Sequence, residues 1–326
     1  MSMKPQTGRI ETPIKILIIL GPTASGKSDL AVKLAEKVGQ EKLDGYTGAE
    51  IISADSRQVY KGLDIGTGKI TREEMRGISH HCLDIVDPQS RFTVTEWKNA
   101  AEKAISGIVV QDKLPIICGG TGFYITTLVD DLEFPNIKMS QEDQEKFSKK
   151  CEPKSAEELI EELKKLDPIR AENMIKTGNS KNKRRVIRSI LVAQELGVVP
   201  VLTPRLTPKY DALFIGITTP DDLLKDRIKT RLTKRIGIGM IVEAEKLHAT
   251  GLSFERMEEL GLEYRYLAQY IQHKLSLEEL IDTLATKIWQ YARRQKTWFK
   301  KDERIKWFEL GETEKIDEAM QTFLKK

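Results

Sequence analysis

The stretch "GPTASGKS", residues 21–28, has the spacing G-x-x-x-x-G-K-S, and that spacing carries a defined chemistry. Gly21 and Gly26 allow the backbone to curl, so that loop N–H groups point inward at anionic oxygens. Pro22, Thr23, Ala24 and Ser25 make up the turn between them. Lys27 would reach a terminal phosphate, and the Ser28 hydroxyl would ligate Mg²⁺. The residues therefore predict a phosphate cradle. They do not by themselves identify the ligand, because ATP and a pyrophosphate ester present the same charge and the same oxygens.

Other residues could act on what the loop holds. Asp55 closes the apolar run "AEIISADS" and could take a proton from a nucleophile aimed at the bound ester. A magnesium-water ligand or a structural cap is an equal reading from topology alone. Ser56, Arg57 and Gln58 follow it as a polar loop. Arg227, Arg231 and Arg235 recur every four residues, on one helical face that could neutralise a leaving pyrophosphate. A solvated face is the commoner fate of such a stripe. "SKNKRRVIR" concentrates Lys181, Lys183, Arg184, Arg185 and Arg188, for which nucleic-acid phosphates are the natural partner and a solubilising helix the plain one. In "YARRQKTWFKK", Trp298 is expected in the core rather than as a base-stacking platform.

The elements that position these residues follow from periodicity. "IKILIIL" before the loop reads as a buried parallel strand, and Leu30, Leu34 and Val38 after it recur at helical spacing. "QEKLDGYTG" is a polar loop, and "AEIISADS" a second strand. Thr93 and Glu96 form the capping-box spacing of a helix running to about Val110. "LPIICGGTGFY" repeats the strand–glycine–helix pattern around Thr121. Residues 133–209 are charged, helical in pattern and free of strand-like runs, and "YDALFIGI" at 210–217 restores a core strand. Amphipathic helices follow, with a last strand at "IKWFEL".

The expectation is an α/β protein with a P-loop NTPase-like parallel sheet core and an inserted helical domain. A flexible lead covers 1–13, the core covers 14–132 and 210–326, and the insert covers 133–209.

Composition narrows the classes. A chain of 326 residues accommodates a full α/β domain and a second element, and a net charge of +4 does not announce a nucleic-acid protein. Cys82, Cys118 and Cys151 show no C-x-x-C spacing, which argues against disulfide or zinc frameworks and fits a reducing cytoplasm. The apolar run at 16–20 is too short for a signal core or a membrane span. "NKRR" lacks the N-K-x-D that reads guanine, and "DDLEF" is not the D-D-x-x-D of prenyl chain elongation.

Taken in order, "GPTASGKS", "IISADSRQVYKGLDIGTGK", "HHCLDIVDP", "LPIICGGTGFY", "NKRRVIR" and "ARRQKTWFK" resemble the bacterial tRNA dimethylallyltransferase family over most of residues 14–308. The resemblance implies transfer of a dimethylallyl group from its diphosphate to N6 of adenosine 37, beside the tRNA anticodon, with Mg²⁺. It implies Asp55 as general base. Thr23, Lys27 and Arg231 become contacts of the donor pyrophosphate, and Thr121 a site residue at the tRNA contact. Residues 55–58 and 184–188 (Arg184, Arg185, Val186, Ile187 and Arg188) become tRNA-interacting stretches. A cytoplasmic monomer is expected. Glu263 departs from the pattern, standing where many members have glycine. Two other enzyme readings, a P-loop kinase of a small metabolite or nucleotide and an adenylate isopentenyltransferase acting on free nucleotide, are disfavoured by the basic insert. A non-catalytic binding protein is disfavoured by the intact Lys27, Asp55 and Arg231.

Overall fold

The computed structural model describes residues 12–325; residues 1–11 of the expected lead lie outside them. Contacts divide the chain into two compact units, one reaching to Asp131 and resuming at Arg205, the other formed by Leu132–Pro204. In chain order the first unit begins with β1 (Ile14–Leu20), α1 (Lys27–Glu41), β2 (Gly48–Ser53), α2 (Arg72–Met75), β3 (His80–His81), α3 (Val94–Val109), β4 (Lys113–Gly119) and α4 (Gly122–Val129). The second unit holds α5 (Gln141–Cys151), α6 (Ala156–Leu166), α7 (Pro168–Lys176) and α8 (Lys183–Leu196). The first unit then continues with β5 (Tyr210–Thr218), α9 (Asp221–Gly237), α10 (Met240–Ala249), α11 (Phe254–Leu260) and α12 (Leu262–Ile271). It closes with α13 (Leu277–Phe299), β6 (Ile305–Glu309) and α14 (Thr313–Leu324).

Among the described residues the strands form one six-stranded sheet in the order β3-β2-β4-β1-β5-β6, parallel throughout. β1 is central, with Leu17 opposite Ile116 of β4 and Leu213 of β5. It is buried on both faces, and its side chains alternate between two cores. Ile16, Ile18 and Leu20 pack with Trp97 and the helices from α9 to α13, whereas Leu17 and Ile19 pack with α1 and α14. This pattern explains an Ile-rich strand with no polar alternation. The loops after β1, β2 and β4 emerge side by side at the carboxyl edge of the sheet, where parallel α/β sheets place their ligands.

The chain leaves the first unit at Asp131 and returns at Arg205, and the two ends are tied together. Arg205 donates from its backbone N–H to the Asp130 carbonyl (3.0 Å) and from its side chain to Asp131 (2.9 Å). Residues 205–209, expected in the insert, therefore belong to the sheet-containing unit. The second unit is helical and has its own core, built from Leu159, Leu163, Met174, Val186 and Ile190. β3 and α14 have no counterpart in the sequence reading. The first is two residues long, too short for a period-2 pattern to register, and Asp55 lies two residues beyond β2. In the segment expected as a polar loop, Leu43–Gly45 forms a single 3₁₀ turn.

Candidate active site

Leu20 hands the chain to the loop at residues 21–28, and α1 begins at Lys27 with Gly26 as its N-cap, at φ 92°. Only glycine enters that conformation without strain. No side chain caps α1, so its first-turn N–H groups remain available to an anion, with the helix dipole behind them. Lys27 bends back to donate to the Pro22 carbonyl at 3.2 Å. Burial lowers its pKa below the ordinary lysine value, an effect opposed by Cys118 and Asp55 and reinforced by Arg231. Ser25 is fully buried, and its hydroxyl has no partner among the described residues.

Asp55 accepts from the backbone N–H groups of Arg57 (2.8 Å) and Gln58 (3.4 Å), both through Oδ1. That turn fixes the carboxylate and leaves Oδ2 clear of protein hydrogen bonds among the described residues. Trp97 secures the preceding strand end by donating from its indole to the Ser53 carbonyl at 3.0 Å. After β4, Gly119 and Gly120 come so close to their neighbours that a Cβ would lie 2.2 Å from the Ala54 carbonyl and from Gln295 Nε2, respectively. Thr121 then docks on the β2 loop, its N–H on the Ala54 carbonyl (3.0 Å) and its Oγ1 accepting from the Ser56 N–H (3.1 Å). The Tyr291 phenol bonds Thr121, and burial, followed by the charge of Asp55, pushes its pKa up so that it stays protonated.

A third group holds the loop after Tyr60. Glu243 accepts from the N–H groups of Asp64, Ile65 and Gly66 at 2.7–3.0 Å and from the Tyr264 hydroxyl at 2.6 Å. Arg235 donates to the Ile65 and Gly66 carbonyls and pairs with the buried Glu263. Arg231 donates to the Gly68 carbonyl at 3.0 Å. Burial first, then Arg235, draws the Arg231 guanidinium below its ordinary pKa, while Asp55 opposes the shift.

These groups enclose a cavity of ≈ 330 Å³, lined at once by Thr23, Lys27, Ser28, Asp55, Arg57, Gln58, Arg231, Leu260, Leu262 and Tyr291. That size falls within the range of small-ligand sites, roughly 300–1,000 Å³. Thr121 stands just behind its wall, on Ser56 and Tyr291. The sequence reading missed Gln295, which accepts from the Thr23 N–H (2.8 Å) and donates to the Gly120 carbonyl (2.9 Å), joining the two glycine loops. Its signal was present: the buried stripe of α13 runs Leu280, Leu284, Ile288, Ala292, Gln295, Phe299, and one member is an amide. Glu243 and Tyr291 had no such signal. Of the arginine stripe on α9, Arg231 lines the cavity and Arg235 braces a loop.

Two expectations are corrected. Val186 and Ile187 are buried in the core of the second unit, so their side chains are out of reach of an RNA; Arg184, Arg185 and Arg188 on the same helix are exposed. Trp298 is not a core residue, since 41% of it is exposed.

A parallel α/β core with a phosphate loop at its central strand, a carboxylate at the next loop and an arginine opposite is the framework of a phosphate-ester enzyme. The family model described as IPP transferase matches residues 58–302, and the chain belongs to that family. It is 36% identical over 318 residues to a tRNA dimethylallyltransferase of Thermoanaerobacter sp. (strain X514), covering 96% of this chain and 97% of that one. A tRNA dimethylallyltransferase 2 of Treponema denticola is 39% identical over 292 residues, covering 88% and 92%. Among solved structures, the tRNA isopentenylpyrophosphate transferase of Bacillus halodurans superposes with a TM-score of 0.67 at 33% identity, covering 95% of each chain.

Proposed function

We infer that this protein is a prenyltransferase that moves a dimethylallyl group from dimethylallyl diphosphate to N6 of adenosine 37 in tRNA. The observation that carries the reading is the lining of one cavity: Lys27, Arg231 and the loop for a diphosphate, Leu260 and Leu262 for a short hydrocarbon, and Asp55 for a proton.

The chemistry assigns each group a task. An exocyclic adenine amine is a weak nucleophile, because its lone pair is delocalised into the ring. An allylic diphosphate compensates, since the developing cation is resonance-stabilised. As the C1–O bond breaks, negative charge collects on the departing diphosphate, where Lys27, Arg231 and the α1 N-terminus stabilise it. The new bond joins N6 to C1, and the proton released from N6 passes to Asp55. The Arg57 and Gln58 N–H groups hold that carboxylate in place. A stacked adenine cannot enter a cavity of this kind, so the base is flipped out.

The residues also fit Mg²⁺. Ser28 lines the cavity at the start of α1, and a magnesium ion in such sites takes one or two protein oxygens, with phosphate and water supplying the rest. When bound, the ion would neutralise charge on the leaving diphosphate. Every group named comes from one unit of a single chain, which supports a monomer. No helix among the described residues is long and apolar enough to cross a membrane, and a tRNA substrate fits the cytoplasm.

The test is incubation with labelled dimethylallyl diphosphate, unmodified tRNA and Mg²⁺, beside ATP and AMP controls. Label should enter tRNA without any nucleoside triphosphate. Strict ATP dependence would favour a kinase, and labelling of AMP alone an adenylate isopentenyltransferase.

A further inference from the structure

Trp298 and Phe123 form an exposed aromatic pair with no task in the chemistry above. Their ring centroids lie 6.3 Å apart at 76°, edge to face, and the residues are 41% and 39% exposed. Trp97, by contrast, is fully buried, stacked on Tyr124 and hydrogen-bonded.

We propose that the Trp298–Phe123 pair is a stacking platform for a nucleobase flanking the reacting adenosine; the proposal rests on the RNA-prenylating reading. Trp298 follows Tyr291 and Arg294, both lining the cavity, at helical spacing on α13, and Phe123 follows Thr121 by two residues. The platform therefore adjoins the place where the reacting base must enter.

The indole is also held in place. A Cβ on Gly122 would lie 2.3 Å from Trp298 Cδ1, so the glycine lets the indole lie flush against the start of α4. A held ring loses little entropy on stacking. The charge is suitable too: Arg293, Arg294, Lys300 and Lys301 surround the indole in sequence and are exposed, as an RNA backbone requires. Finally, flipping a base out of a stack bares the face of its neighbour. An aromatic ring beside the entry restores that lost stack for any base, since each has a π-face.

The experiment uses the full chain and an anticodon stem–loop RNA carrying adenosine 37. Trp298→Ala should weaken RNA binding by about 5- to 150-fold, the range for loss of one base–aromatic stack. Turnover at saturating RNA and the KM for the prenyl diphosphate should hold, and Trp298→Phe should recover most of the binding. Repeating the comparison with a single abasic residue at each flanking position should abolish the Trp298→Ala penalty at one of them. No penalty, or an equal penalty on every abasic RNA, overturns the platform. Self-association of the wild type that Trp298→Ala abolishes in sedimentation would also overturn it, assigning the pair to a contact between copies. These failures are distinct from failure of the functional reading, which shows as a wild-type protein that prenylates no RNA.

Discussion

Gln295→Met keeps the length and bulk of a buried side chain and removes its amide. In the native protein that amide accepts from Thr23 at 2.8 Å and donates to Gly120 at 2.9 Å. Each bond is neutral and contributes about 0.5–1.5 kcal/mol net, but a buried group left without a partner costs about 1–3 kcal/mol. Gly120 is buried and would bear most of that cost, whereas water can reach half-buried Thr23. The sum is about 2–4 kcal/mol of folding stability, readable as a lower urea midpoint at unchanged slope. The loss is not confined to stability, because Thr23 sits inside the phosphate cradle. If about 1–2 kcal/mol of reordering is transferred to ligand binding, the KM for dimethylallyl diphosphate rises roughly 5- to 30-fold. Gln295→Glu keeps the acceptor for Thr23 but sets an anionic oxygen against the Gly120 carbonyl, and should bind donor still more weakly. A Gln295→Met protein with a wild-type urea midpoint and a wild-type donor KM would refute the bridging role.

Lys27→Met should abolish donor binding while leaving the melting temperature of the empty protein unchanged or higher, because burial disfavours the lysine charge. The sign follows from linkage: a folded pKa below the unfolded one means that stability rises as pH climbs past the folded value, a rise the variant should lack in melting curves. A bound diphosphate favours the charged lysine, so the donor KM of the wild type should increase at alkaline pH, and a flat profile would speak against the contact. In the second unit, replacing Arg184, Arg185 and Arg188 together by Gln should flatten the salt dependence of tRNA binding by about two units, at roughly 0.7–0.9 per lost phosphate contact. Donor affinity should hold, and an unchanged slope with circular dichroism intact would leave those arginines a structural role only.

What the sequence made legible was local. The loop at residues 21–28 announces itself because its geometry depends on backbone and glycine, and the Thr93–Glu96 capping box is a bond between near neighbours, present as read. β1 was legible because burial on both faces leaves an unbroken apolar run. Long-range pairings were not legible. Gln295 meets Thr23 across 272 residues of chain, and Glu243 caps Ile65 across 178. No periodicity encodes which loop a buried amide or carboxylate will find. Trp298 misled because residue type favours burial, while its place on α13 is set by a close approach to Gly122 on α4, far away in the chain. Val186 and Ile187 misled in the opposite way, since a basic motif on an amphipathic helix carries its core residues along with its surface ones. α14 follows β6 and packs Ile316, Met320 and Leu324 against the α1 face, a regular stripe at helical spacing.

The central claim is that Asp55 receives the proton as the prenyl group reaches N6. Its most direct measurement is the single-turnover rate of prenyl transfer to tRNA at saturating donor, comparing Asp55→Ala with the wild type. A general base contributes about 10²–10⁴-fold, so the rate should fall by that factor while tRNA binding changes far less. A single-turnover rate close to that of the wild type would contradict the account.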